Sequence, residues 1–190
     1  MNYCVKLKRD RDGVCPEISK FDMSSSASNN FSWAVARTKA RAEKALAEYL
    51  TARSVPTFVP LLVSRRVYGR SVRHSQLPLF PGYVFFDDFA ISRSSLFESR
   101  KVADVLRPPD PNELRRELAN LALALQADSG MRATIFGMAG AAVQVVRGPL
   151  KGVVGELVRL QNENRLVVRV SFLGKAAELE IDEAFVERVL

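Results

Sequence analysis

Pro78–Phe86 reads PLFPGYVFF, and this stretch decides how the first half of the chain is read. The Pro81-Gly82 pair suits a tight turn, because proline presets one backbone angle and glycine tolerates the conformation that follows. The next four residues, Tyr83 to Phe86, favour strands, so the segment predicts a turn entering a central strand. Upstream, Phe58–Gly69 (FVPLLVSRRVYG) is a second strand region, broken by Pro60 and ended by Gly69, which fits an edge strand or one arm of a hairpin. Phe31–Arg37 (FSWAVAR) is short, apolar and strand-like. It runs into a helix whose apolar positions, Ala42, Ala45, Leu46, Tyr49 and Leu50, form one buried stripe, with Glu43, Lys44, Glu48 and Arg53 off it.

Downstream of the central strand, a short helical piece near Ser94–Ser99 leads to the strand Val102–Arg107 (VADVLR), which Pro108 and Pro109 stop. A helix follows with its start written locally. Asp110 can cap it, Pro111 fits the first helical position, Glu113 completes a capping-box-like pattern, and Leu114, Leu118, Leu121 and Leu125 repeat at helical spacing. The order is βαββ(α)βα. Between Ala127 and Gly140 the pattern fades into polar and glycine-containing sequence suited to a linker. Beyond it, AVQVVRG, VVGELVRL, RLVVRVSFL and KAAELEI are four β-type runs separated by GPLKG, QNEN and Gly174, the spacing of a small barrel. The predicted fold class is therefore α+β. An N-terminal antiparallel sheet flanked by helices (31–127) is joined through a linker (128–139) to a small SH3-like β-barrel (140–190). Residues 1–30 include SSSASNN and show no sustained period, so they are expected to be a flexible tail.

Composition sets limits on function. The 190 residues are 47% hydrophobic and 26% charged, close to a globular average. No apolar run approaches the roughly 20 residues of a spanning helix, and no apolar segment follows the N-terminal charges, so a cytoplasmic protein without membrane contact is expected. Both cysteines, Cys4 and Cys15, lie in the opening segment and staple neither core, which suits a reducing compartment. The net charge of +7 and pI near 9.7 suggest an anionic partner. Basic residues crowd between Arg37 and Arg73: Arg37, Lys39, Arg41, Lys44, Arg53, Arg65, Arg66, Arg70 and Arg73, against only Glu43 and Glu48. A nucleic-acid surface and a solvated charged face both fit that run. The single histidine, His74, has no neighbouring nucleophile or carboxylate, and no metal-ligand spacing, P-loop or GxSxG element appears. No enzymatic activity, cofactor or metal is expected.

Three motifs in order, SWAVARTKARAEKAL (32–46), PLFPGYVFF (78–86) and VVRGPLKGVVGELVRL (145–160), resemble the NusG family, including its specialised paralogues of the RfaH and UpxY kinds. The resemblance covers roughly Ser32 to Leu190. It implies an N-terminal NGN domain that binds RNA polymerase and a C-terminal KOW domain, with Gly148, Gly152 and Gly155 in the KOW motif. It implies further that Tyr83 and Phe85, which alternate along one strand, grip the clamp helices of the polymerase's largest subunit, with Val105 and Leu106 as secondary candidates. The opposite reading, in which Tyr83 and Phe85 point into the core, stays open because periodicity does not choose the face. By the same resemblance, Ser92, Arg93, Ser94 and Ser95 stand where paralogues touch the far side of the polymerase cleft, although a solvated helix start also fits. The basic run would face upstream or non-template DNA. By the same resemblance, Leu173 and Lys175 occupy positions around the Phe and Arg through which the general factor's barrel is thought to meet termination-factor and ribosomal partners. The implied function is a monomeric elongation and antitermination factor that suppresses pausing and promotes terminator readthrough. The alternatives are a housekeeping factor coupling polymerase to the ribosome or a termination factor, and a ribosome-associated KOW protein that binds RNA.

Overall fold

The computed structural model describes residues 32–68, 71–127, 131–135, 140–160 and 163–189. The expected tail, 1–30, lies outside them. The chain divides into two compact units between Asn112 and Glu113.

In the first unit, strands β1 (Trp33–Thr38), β2 (Thr57–Phe58), β5 (Tyr83–Asp87) and β6 (Val102–Leu106) form an antiparallel sheet in the order β2-β5-β1-β6. Helices α1 (Glu43–Thr51) and α2 (Arg93–Glu98) pack on one face of it. Because side chains alternate along a strand, Ala34 and Ala36 of β1 and Val84 and Phe86 of β5 share that face. They close a core with Leu46, Leu50, Leu96 and Val102. The other face carries Trp33, Val35 and Phe85, all at most 1% exposed. Strands β3 (Leu61–Tyr68) and β4 (Ser71–Pro78) pair only with each other, so the FVPLLVSRRVYG region is the hairpin arm of the two options.

Glu43 departs from the helical stripe read in the sequence. It is 7% exposed, and its carboxylate accepts a hydrogen bond from the Gly82 amide at 2.7 Å. No side chain caps α1 at Ala42, so this first-turn acid is also the nearest complement to the helix N-terminus.

The second unit begins within α3 (Pro111–Gln126), whose start is as expected: Asp110 Oδ1 accepts from the Asn112 amide at 2.8 Å. Six strands follow: β7 (Arg132–Ile135), β8 (Ala141–Val145), β9 (Val154–Leu160), β10 (Glu163–Val170), β11 (Lys175–Glu180) and β12 (Val186–Arg188). They form one antiparallel sheet in the order β12-β8-β9-β10-β11-β7. The architecture is the expected α+β pair of an N-terminal sheet with helices and a C-terminal β-unit. Two details differ from expectation. The stretch 128–139, expected as linker, contains β7, because Arg132–Ile135 finds a ladder partner in Lys175–Glu178. Helix α3, expected to close the first domain, groups with the C-terminal sheet. There the Asn120 carboxamide bonds both the amide (2.8 Å) and the carbonyl of Val154, and Glu117 accepts from the Ser171 amide at 2.9 Å.

Candidate interaction surfaces

Gly82 turns the chain into β5 with φ +87°, a left-handed conformation that favours glycine; a side chain there would meet nothing within 4 Å, so the backbone angle alone makes the demand. Its amide is held by Glu43, and its carbonyl accepts from Thr38 at 2.8 Å. The register then sets two rows across the sheet. Phe85 pairs with Val35, which pairs with Leu106; Tyr83 pairs with Arg37, which pairs with Asp104. Tyr83 and Phe85 share a face, as expected, but they differ in access. Tyr83 is half-buried, whereas Phe85 is fully buried and its ring lies 6.1 Å from that of Phe58. The expectation of two freely projecting rings is therefore corrected. The opposite reading does not hold either, since Val84 and Phe86 are also fully buried. The reason is the unbroken apolar run: a central strand covered on both faces carries no polar side to expose. Val105 is a further correction. It pairs with Ala36 and packs on the helix-side core, so only Leu106, half-buried, shares the face of Tyr83.

The β1–α1 junction carries the exposed side chains of Arg37, Lys39 and Arg41. The Lys39 amide donates to the Lys101 carbonyl at 2.8 Å, which brings the α2–β6 turn alongside. Arg100, exposed, and Lys101, half-buried, thereby join the cluster, and sequence reasoning had missed both. Arg41 and Arg100 both have positive φ, 58° and 57°. Non-glycine residues hold that conformation only where the surroundings impose it, and such positions gather at functional sites. The remaining basic candidates separate. Lys44 is engaged, its ammonium donating to the Gln76 carbonyl at 2.6 Å, and Arg53 lies 3.6 Å over the Tyr49 ring. Arg65 and Arg66 occupy β3 positions opposite His74 and Arg73, Arg73 is exposed, and Arg70 lies outside the described residues.

Ser92 accepts from the Ser95 amide at 3.2 Å as the cap of α2, and its hydroxyl lies 3.0 Å from that of Ser94. Arg93 sits 5.4 Å over the Phe97 ring. These contacts make the run a helix start, while leaving Ser92, Arg93 and Ser94 exposed. At the far end of the sheet, Asp87 accepts from the Ser32 and Phe89 amides, and Asp88 holds Arg107 at 2.6 Å. Burial pushes the Asp87 carboxyl above its ordinary pKa, opposed by those two amides. Phe89 beside it is 62% exposed.

In the C-terminal sheet the three motif glycines answer two demands. Gly148 and Gly152 adopt positive φ, 79° and 94°. Gly155 is a close approach, where an added Cβ would lie 2.7 Å from the Val167 carbonyl oxygen. Leu173, in the turn Ser171–Leu173, and Lys175, opening β11, are both half-buried.

Residues 31–119 match the family model described as transcription termination factor nusG. The chain carries a NusG-family domain. Thermotoga maritima NusG, in a structure titled for its domain interaction, is similar over 85% of this chain and 98% of its own, at 17% identity and a TM-score of 0.45. No curated protein sequence matches the chain. NusG-family proteins are non-enzymatic transcription elongation and antitermination factors that bind RNA polymerase. Among the described residues, no helix is long and apolar enough to cross a membrane. The NusG-family domain thus presents a half-buried tyrosine on one sheet face and, across the register from it, an exposed arginine that opens a basic cluster of two adjoining turns.

Proposed function

We propose that this protein is a specialised elongation factor whose first unit docks on the clamp helices of RNA polymerase through Tyr83 and Leu106. In this reading the basic cluster Arg37, Lys39, Arg41 and Arg100 lies against upstream or non-template DNA. The observation that supports it most is the Tyr83–Arg37 pairing: an aromatic anchor and the first residue of the basic junction are neighbours on adjacent strands, so one docking pose engages both. Leu106 extends the apolar ground along that face, while Phe85 supports it from beneath. The exposed Ser92, Arg93 and Ser94 are the proposed contact to the opposite side of the cleft. Bridging the cleft keeps the clamp closed, suppresses pausing and favours terminator readthrough, with no covalent chemistry. The C-terminal unit is proposed to recruit a partner through Leu173 and Lys175. Lysine keeps the charge of the general factor's arginine but lacks its planar fork, so termination-factor or ribosomal contacts would be altered.

Transcription in vitro tests the reading. On a template with defined pause sites, the wild-type chain is expected to shorten pauses and Tyr83→Ala to lose most of that effect. Equal pausing with and without the wild-type chain refutes it, and recovery of the protein with ribosomes but never with polymerase transfers the case to the ribosome-associated alternative.

A further inference from the structure

Helices α1 and α2 meet through the Tyr49 side chain. Its hydroxyl donates to the Ser95 carbonyl at 2.7 Å, which ties the last turn of α1 to the first turn of α2. Each helix also holds a guanidinium against a ring. Arg53 lies 3.6 Å over Tyr49 and donates one N–H to the Tyr49 carbonyl at 3.3 Å, and Arg93 lies 5.4 Å from the centre of the Phe97 ring. Residues four apart, as both pairs are, come together on helical backbone, and the face of a ring attracts a cation. Tyr49 and Phe97 both pack on the helix-side core, so the two rings are anchored seats. Because Arg53 stacks on the ring whose hydroxyl reaches Ser95, its guanidinium stands beside the turn that carries Ser92, Arg93 and Ser94.

Arg53 and Arg93 are exposed, and among the described residues neither forms an ion pair. A guanidinium presents its N–H donors as a planar fork, a geometry that fits a carboxylate through two parallel bonds. Seating the fork on a ring orders it before a ligand arrives and so lowers the cost of binding. The acids nearest in sequence on the same helices, Glu48 and Glu98, are exposed as well. Each stands about 100° round its helix from the ring residue next to it, so the two arginines are flanked by negative charge. A long nucleic-acid strand crossing this surface meets those carboxylates, whereas a short acidic segment of chain need not.

We infer that Arg53 and Arg93 form one receptor for carboxylates, which takes a short acidic peptide segment of the polymerase on the far side of the cleft. The inference rests on the cleft-bridging part of the function proposed above. To that contact it adds Arg53, from the other helix, and the chemistry of the partner. The exposed hydroxyl of Ser94, beside Arg93, is a further donor to the same carboxylates. The basic cluster at the β1–α1 junction is left to nucleic acid, so the two ligands are sorted by surface: phosphates at the cluster, carboxylates at the ring-seated pair.

The test is NMR on the isotope-labelled full chain, following arginine Nε–Hε and backbone amide signals during titration with a five-residue glutamate peptide or a thymidine pentanucleotide. The peptide is expected to move the Arg53 and Arg93 signals with one common dissociation constant. Arg53→Ala should weaken peptide binding read at Arg93 by about two- to fivefold, the share of one exposed charge pair, with the amide spectrum of the fold retained. Arg53→Lys keeps the charge without the fork and should recover only part of that loss. Unmoved arginine signals, two different dissociation constants, an Arg53→Ala affinity equal to wild type, or larger shifts of these signals by the pentanucleotide each overturn the inference. The pausing assay, run in parallel, separates the receptor from the function it rests on. Peptide binding at both arginines with no effect on pausing sinks the proposed function and leaves the receptor, whereas shortened pauses with unmoved arginine signals sink the receptor alone.

Discussion

Replacing Glu43 by alanine removes the acceptor that holds the Gly82 amide at 2.7 Å and the only acid in the first turn of α1. A hydrogen bond to a charged group contributes about 1.5–3 kcal/mol net. An acid at a helix N-terminus adds about 0.3–1 kcal/mol. Because Glu43 is 7% exposed, water does not readily replace it, and a loss of about 2–3 kcal/mol is expected. With a urea dependence of roughly 2 kcal/mol per molar, the unfolding midpoint should fall by about 1–1.5 M. Trp33 is the only tryptophan and is 1% exposed in β1, so its fluorescence reports the first unit without interference from the second. Glu43→Gln keeps an acceptor oxygen and should lose about half as much. A Glu43→Ala midpoint within about 0.2 M of wild type would refute the assignment of Glu43 as the clasp of this turn.

Two further outcomes follow from the same geometry. Burial raises the Asp87 carboxyl above its unfolded pKa, so its contribution to stability is fully present below the unfolded value and is lost as pH rises through the folded one. Asp87→Asn, which retains the Oδ1 acceptor for Ser32 and Phe89, should flatten that decline in urea melts compared at pH 4 and pH 7; an unchanged profile contradicts it. Gly155→Ala should cost about 1–3 kcal/mol through collision with Val167 and Leu166, measured by far-ultraviolet circular dichroism of the full chain, and a neutral result would show that β9 and β10 can separate without loss.

What the sequence makes legible is local. The start of α3 is readable because Asp110, Pro111 and Glu113 are consecutive signals, and the hairpin arm is readable because Gly69 interrupts a strand-like run. Glu43 is misread because its partner lies 39 positions away, and a helical stripe counts only apolar residues. The β7 ladder is misread because Arg132–Ile135 is short and meets its complement some forty residues later. At the candidate site, alternation correctly puts Tyr83 and Phe85 on one face, but four successive apolar residues carry no contrast from which to read access. Arg100 and Lys101 escape notice because they lie outside the basic run and reach it only through the backbone bond to Lys39. The backbone angles of Arg41 and Arg100 leave no trace in residue type at all.

The pairing of β7 with β11 bears on how the protein can be dissected. A fragment begun at Gly140, the natural cut if 128–139 were mere tether, would strip Lys175–Glu178 of its outer neighbour and leave a row of amides and carbonyls open to any passing chain. Such a fragment moves the open edge of the sheet from the four-residue β7 inward to the six-residue β11, a longer template for self-association, and one begun at Met131 keeps the shorter edge.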